Sequence, residues 1–339
     1  MKVQDTSKWL LALTAVGVFL FGLVIGWQLN KNRAQGSDPA FAVRENSQNK
    51  YKFIDPLIVF DTNTPTQTVD FKDLQQKLQG YVDIQLRRRT IDSISIYFRE
   101  PKTARWTGIN MGEKYNPASL LKVPTMIAFF KAAESDPEVL SKKVFYDGSF
   151  DDNKAEYFKV GQGILPGHWY TIEELIRSMV AYSDNNATAL LHKNIDEDLL
   201  KEVYEDFGLA IPTTNTVDFM TVKSYAYFFR ALYNATYLSR EFSEKALEFL
   251  AGPDFPRGIT AGVPKTVTVA QKFGERTVTD VQTNLVEHRE LHDCGFVYYP
   301  NNPYLICIMT KGQSFDQLTS VIQGLSKLIY GWVDNRKGQ

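Results

Sequence analysis

From Trp9 to Asn30 the chain reads WLLALTAVGVFLFGLVIGWQLN, without one charged residue. At a helical rise of about 1.5 Å per residue such a run crosses a hydrocarbon core of about 30 Å. Trp9 and Trp27 sit near its ends, where amphipathic rings prefer the headgroup level. A cleaved signal peptide has a shorter apolar stretch followed by a small-residue cleavage site, and none follows Gly26. The pattern therefore predicts a tail and uncleaved membrane anchor over 1–33. Lys2 and Lys8 on one side balance Lys31 and Arg33 on the other, so charge does not orient it. Residues 34–65 are polar and read as a linker. Its one apolar run, FIDPLIVF, could pack on the folded part or pair as a strand.

Beyond the linker the periodicity changes. Phe71, Leu74, Leu78 and Val82 recur at helical spacing, SISIYFRE alternates like a strand, and ARWTGINM after Pro101 reads as its hairpin partner. From Asn116 to about Gly262 the pattern is helical. TIEELIRSMVAY opens with a capping box, Thr171 with Glu174, and carries Ile172, Leu175, Ile176 and Met179 on one face. After Pro264 strands return in TVTVAQKFGE, CGFVYY and YLICIMT, and an amphipathic helix closes the chain over 314–333. Strands thus come from both ends and helices from the middle. The economical packing is α+β, one mainly antiparallel sheet flanked by the first and last helices, with an all-helical lobe inserted over 116–262 of a 66–336 domain.

Composition narrows the partners. The 339 residues are 44% hydrophobic and 23% charged, with a formal net charge of −1, enough apolar material for one large core. No excess of Lys and Arg is available to neutralise phosphates, so no nucleic-acid partner is expected; Arg87, Arg88 and Arg89 read as a solvated helix end. The two cysteines, Cys294 and Cys307, flank a turn at Pro300 to Pro303. The simplest register sets Phe296 opposite Cys307 and the thiols diagonally, as buried small residues or as a disulfide. His288 and His292 are four apart, but HRELH is not HExxH and lies where strands are expected, so no metal is predicted. No GxSxG, GxGxxG or Walker sequence occurs, and no cofactor is predicted.

Three polar elements remain. In NPASLLKVPTMIAFF, Ser119 and Lys122 stand three apart on one helical face, with Asn116 as a cap and Pro117 at the helix start. A serine there meets unpaired amides, and a buried lysine one turn on can lose its proton and act as a base. AYSDNNATALL carries Ser183, Asp184 and Asn185 between two helices, and TVTVAQKFGE carries Lys272, Phe273 and Gly274 on a strand. Each has an ordinary structural explanation alone. Together, in this order, they resemble the SxxK, SDN and KTG set of class A β-lactamases and penicillin-binding proteins.

The resemblance covers about residues 66 to 336 and implies the β-lactamase/D,D-peptidase-like fold with an acyl-enzyme route. Ser119 attacks an amide carbonyl with Lys122 as general base, and Ser183 relays a proton to the leaving nitrogen. Asn185 holds Lys122 and the substrate amide, and Lys272 adds positive charge near a substrate carboxylate. The backbone N–H groups of Ser119 and of Glu275, after Gly274, receive the oxyanion. The implied partner is a β-lactam or a peptidoglycan peptide outside the cytoplasm, met by an enzyme anchored in the membrane. Two departures qualify this. The ExxLN glutamate that activates the deacylating water is missing from FGLAIPTTNTVDFMTVKSYA, where Asp218 and Glu205 are nearby candidates, so hydrolysis is expected to be slow. Phe273 replaces the hydroxyl that helps grip a carboxylate. A D,D-peptidase and a non-catalytic binder of cell wall or partner are the alternatives these departures raise.

Overall fold

The computed structural model describes residues 42–45, 50–60, 71–159, 161–209, 217–252 and 255–336. The uncharged run over 9–30 and much of the 34–65 linker lie outside the described residues. Among the described residues no helix is long and apolar enough to cross a membrane.

The apolar run of the linker does both things open to it. Leu57–Phe60 (β2) pairs antiparallel with Ala42–Arg44 (β1), while Phe53 and Ile54 are buried in the core. The Glu244 carboxylate fixes this entry by accepting from the amides of Lys52, Phe53 and Ile54 at 2.8–3.1 Å.

The predicted first helix forms as α1 (Lys72–Arg87), burying Leu74, Leu78 and Val82. Then come β3 (Ser93–Arg99), β4 (Trp106–Ile109) and the short β5 (Lys114–Tyr115). A 3₁₀ turn, Ala118–Leu121, leads into α2 (Lys122–Ser135), followed by α3 (Glu138–Ser141). The lobe is not purely helical. Lys143–Tyr146 (β6) and His168–Thr171 (β7) form a ribbon inside it, because KVFY and HWYT are rich in aromatic and β-branched residues that favour a pleated surface. The lobe continues with α4 (Ile172–Ala181), α5 (Asn185–His192), α6 (Glu197–Asp206), a two-residue β8 (Met220–Thr221), α7 (Val222–Asn234), α8 (Arg240–Ala251) and α9 (Gly258–Ala261). The capping box of α4 is present in full: Glu174 N–H donates to Thr171 Oγ1 at 3.1 Å, and Thr171 N–H to Glu174 Oε2 at 2.7 Å.

The last three strands, β9 (Val269–Thr279), β10 (Val286–Val297) and β11 (Tyr304–Gly312), complete an antiparallel sheet in the order β4-β3-β11-β10-β9, and α10 (Phe315–Asp334) ends the fold. Alternation along β3 explains the layering. Ile94, Ile96 and Phe98 face a core shared with α1 and α10, while Tyr97 faces the second core under the lobe. In the second core α2 is apolar on every side, with Val123, Met126, Ile127, Ala128 and Phe130 all buried, the mark of a central helix.

One register differs from expectation. Cys294 pairs directly with Cys307 instead of Phe296 doing so, and the two thiols are joined in a disulfide across Cα atoms 4.0 Å apart. The connection is longer than a tight turn at Pro300: the β10–β11 ladder ends at Val297 opposite Tyr304, with residues 298–303 between them.

The sheet–α10 layer gives a direct stability test. Ile322 is fully buried there, and Ile322→Ala is expected to cost about 2–5 kcal/mol in a urea unfolding midpoint. A loss under about 1 kcal/mol would mean that α10 does not pack on the sheet as described.

Candidate active site

Ser119 lies in the middle of the 3₁₀ turn, not in a full α-helix as the spacing suggests. The tighter winding eclipses residues three apart, so Ser119 and Lys122 share one ridge, and Lys122 N–H donates to Ser119 O. Ala118, just before, is held at φ 49°, a left-handed conformation costing about 1–3 kcal/mol for a residue with a side chain. Its surroundings impose it. Asn116 Oδ1 accepts from Ala118 N–H at 3.0 Å, and His292 on β10 bonds Asn116 O through Nε2 at 2.9 Å. Thr310 N–H donates to His292 Nδ1 at 3.3 Å, which sets Nε2 as the protonated nitrogen. Burial lowers the His292 pKa to about 4, so the ring is a neutral strut. Tyr225 O–H fastens the other side of the turn, donating to Leu120 O at 3.0 Å.

The first turn of α2 delivers the Lys122 ammonium into a pocket of oxygens. It donates to Ser183 O at 2.7 Å, Ser183 Oγ at 3.1 Å and Asn185 Oδ1 at 2.6 Å. From β9, Lys272 donates to the same Ser183 Oγ at 3.0 Å and to Phe273 O at 3.0 Å. Two amines thus meet at one hydroxyl. Burial lowers Lys122 to about 8, against the opposing pull of Glu156, Asp184 and Glu275. Burial lowers Lys272 further, and the nearby Lys122 charge adds to it. With both lysines donating, the two lone pairs of Ser183 Oγ are used, leaving its O–H free for a third group.

The SDN turn is rigid because Asp184 is wholly buried and saturated. Its carboxylate accepts from Asn186 N and Ala187 N at the start of α5, Asn153 Nδ2, Ile164 N and Ser178 Oγ, at 2.7–3.2 Å. Asn153 in turn takes Asn185 N–H at 2.7 Å. Ser183 itself adopts φ 58°. On the opposite wall, Gly274 lets edge strand β9 reach the nucleophile turn: a Cβ there would stand 2.7 Å from Pro117 O and 3.1 Å from Leu120 N.

Lys122, Ser183, Asn185 and Lys272 are therefore brought together as the motifs imply, with Gly274 against the Ser119 turn. Ser119 is half-buried, and among the described residues its hydroxyl has no hydrogen-bond partner; Lys122 points to Ser183 and Asn185 instead.

The structure adds Glu156, which the sequence did not single out, and contacts of the Glu275 side chain beyond its backbone amide. Asn185 Nδ2 donates to the Glu156 carboxylate, from the loop joining β6 to β7. The Glu275 side chain accepts from Tyr157 N–H at 3.2 Å and Phe158 N–H at 2.9 Å of that loop and meets Glu156, so burial and the neighbouring carboxyl raise its pKa well above the usual range. The Phe158 ring packs edge-on against Phe255 and Phe273, which stack at 4.0 Å. Phe273 thus replaces a polar grip with an aromatic stack. Asp218 binds Lys311 at 2.6 Å in a cluster with the buried Glu290, and Glu205 is exposed on α6, so neither is engaged at Lys122.

An antiparallel sheet edge, a serine in a helical turn and two lysines on one serine hydroxyl are the setting of a serine hydrolase. A model of the β-lactamase enzyme family matches residues 73–333, and the chain belongs to that family. Among solved structures, a point mutant of PBP-A in an acyl-enzyme complex with penicillin G superposes at TM-score 0.63 and 21% identity, covering 78% of this chain and 97% of that one. A class A β-lactamase of the last common ancestor of Gram-negative bacteria gives 0.63 at 20%, covering 77% and 99%. The β-lactamase of Sphaerobacter thermophilus gives 0.61 at 18%, covering 77% and 96%. Comparison with curated proteins returns no match.

Removing the buried Asp184 carboxylate leaves five amide or hydroxyl donors unpaired at once. Asp184→Ala is expected to destabilise by about 3 kcal/mol or more in chemical unfolding; an effect within error of zero would mean the SDN turn is not held in this way.

Proposed function

We propose that this chain is a membrane-anchored serine hydrolase working outside the cytoplasm, acylated at Ser119 by a β-lactam or a related amide and slow to release the acyl group. One observation carries the reading: the buried Lys122 lies within hydrogen-bond reach of Ser183 and Asn185 with its pKa held near 8, so an appreciable share is free amine at neutral pH. A small turn of that amine toward Ser119 lets it take the hydroxyl proton as Oγ attacks the carbonyl carbon. The resulting oxyanion faces the backbone N–H groups of Ser119 and Glu275, where one donor contributes about 3 kcal/mol to the transition state. Ser183 passes its free O–H proton to the leaving nitrogen, and an adjacent lysine replaces it. Asn185 holds Lys122 and the substrate amide, and Lys272 stands on the Ser183 hydroxyl from the other side. The anchor over 9–30 and the extracytoplasmic location rest on the sequence pattern.

Slow release follows from the carboxylates. Asp218 is committed to Lys311, Glu205 faces solvent, and the ExxLN glutamate is missing. Glu156, on Asn185, is the carboxylate left to assist a water. A D,D-peptidase or penicillin-binding role is favoured by the same observation, together with the likeness to PBP-A, whose mutant is described as holding penicillin G covalently.

Incubation with a fluorescent penicillin is expected to label the protein covalently, and Ser119→Ala to abolish the label; a chromogenic cephalosporin should turn over slowly. Absence of label at every pH would favour the non-catalytic binder. Because the Lys122 pKa is lowered, the free amine grows as pH rises through about 8. The acylation rate should therefore climb roughly tenfold per unit between pH 5 and 7 and level off above about 8.5. A flat profile would remove Lys122 as the base.

A further inference from the structure

A second concave site lies at the other edge of the sheet from β9. Where α7 crosses the lobe-facing side of β3 and β4, a cavity of about 470 Å³ is lined by Tyr97, Arg99, Trp106, Lys223, Tyr227 and Arg230, with Arg44 at its margin. None of the groups around Ser119 takes part in it, and among the described residues no acidic side chain lines it. Alternation along β3 puts Tyr97 and Arg99 on the same face, and the helical spacing of Lys223, Tyr227 and Arg230 presents all three from one side of α7.

The charges in this cavity are not balanced from within. Arg44 donates to Asp55 O, Asn234 Oδ1 and Pro101 O, and its Nε, without a hydrogen-bond partner, lies 3.6 Å from the Asp55 carboxylate. Arg99, Lys223 and Arg230 have no carboxylate within salt-bridge reach among the described residues. Arg230 Nε is buried without a hydrogen-bond partner. Arg99 is largely buried, and that burial, with the Arg230 charge beside it, works against its charged form. A solvated basic face avoids such crowding by spreading its side chains into water. Here they are held over ring faces instead, Lys223 Nζ at 4.9 Å from the Trp106 centroid and the Arg230 guanidinium at 4.6 Å from that of Tyr227. Crowded, desolvated cations facing an open cavity are the arrangement an incoming anion stabilises.

We propose that this cavity binds a small phosphorylated ring compound, its phosphoryl group held by Arg99, Arg230 and Lys223 and its ring laid against Trp106. The chemistry selects phosphate over carboxylate. Planar guanidinium forks suit either anion, but a phosphomonoester brings about two negative charges to three uncompensated cations, where a carboxylate brings one. Trp106, backed by the buried Tyr97 ring 6.1 Å away at 28°, supplies an apolar wall beside that charge. The volume holds one ring and its phosphate and not an extended polymer.

The test is calorimetric titration of the full chain in detergent micelles with phenyl phosphate, inorganic phosphate and benzoate. Phenyl phosphate is expected to saturate a single site, at least about tenfold tighter than either of the others, since only it offers both the charge and the ring. Arg230→Gln and Lys223→Gln should each weaken it by about tenfold or more while leaving penicillin labelling at Ser119 intact. Without ligand, Arg230→Gln should melt at or above the parent, because a like charge beside Arg99 is removed. No saturable binding, benzoate binding as tightly as phenyl phosphate, or affinity unchanged in both variants would each overturn the proposal. So would a clear drop in the melting temperature of unliganded Arg230→Gln, which would make the guanidinium a structural prop.

Discussion

Everything chemical in this fold depends on two amines sharing one hydroxyl. Lys122 and Lys272 come from different layers, the central helix of the lobe and the edge strand of the sheet, and meet at Ser183 Oγ. Neither could be buried alone as an ammonium without great cost. Burial lowers both pKa values, and for Lys272 the Lys122 charge adds to it, while Glu156, Asp184, Glu275 and Asp293 pull the other way. The balance leaves a lysine able to exchange a proton near neutrality, which neither an exposed lysine nor a fully paired one could do. The apolar packing of α2 and the five hydrogen bonds on Asp184 exist, in functional terms, to hold that meeting point still.

The β6–β7 loop is the second determinant of what the site can accept. Glu275 ties its Tyr157 and Phe158 amides to β9, Asn185 ties its Glu156, and Phe158 closes over Phe273 and Phe255. At this wall an anionic substrate group meets Lys272 but also two carboxyls and a phenyl stack. The loop and the Phe273 substitution belong together physically. A hydroxyl in that place would need a polar partner, and the aromatic layer offers none. A phenyl ring fills it and anchors the strap.

Much of this was legible in the sequence because it is written in local periods. The helices at Phe71 and Thr171, the β3–β4 hairpin, the late strands and the terminal helix all carry spacing that survives folding unchanged. Ser119, Lys122, Ser183, Asn185 and Lys272 were legible as three motifs in the right order. What was missed has no local signature. Glu156 sits in an acid-rich loop, DDNKAEYF, indistinguishable from a solvated one until tertiary closure sets it on Asn185. The cysteine register hinged on where a six-residue connection leaves the ladder. His292, weighed and dismissed as a metal ligand, proves to be a neutral bridge to Asn116, a role only the fold can reveal.

The same distinction bears on the nucleophile. A serine at a strained turn is not activated by spacing alone, since Lys122 has three oxygen partners on the Ser183–Asn185 side and none of them is Ser119. An ammonium with three acceptors has no reason to turn. A free amine has only two protons for those three oxygens and a lone pair able to accept a hydroxyl proton. Under the proposed acylation that lone pair takes the Ser119 proton, and the burial that lowers the Lys122 pKa is what makes the free amine available.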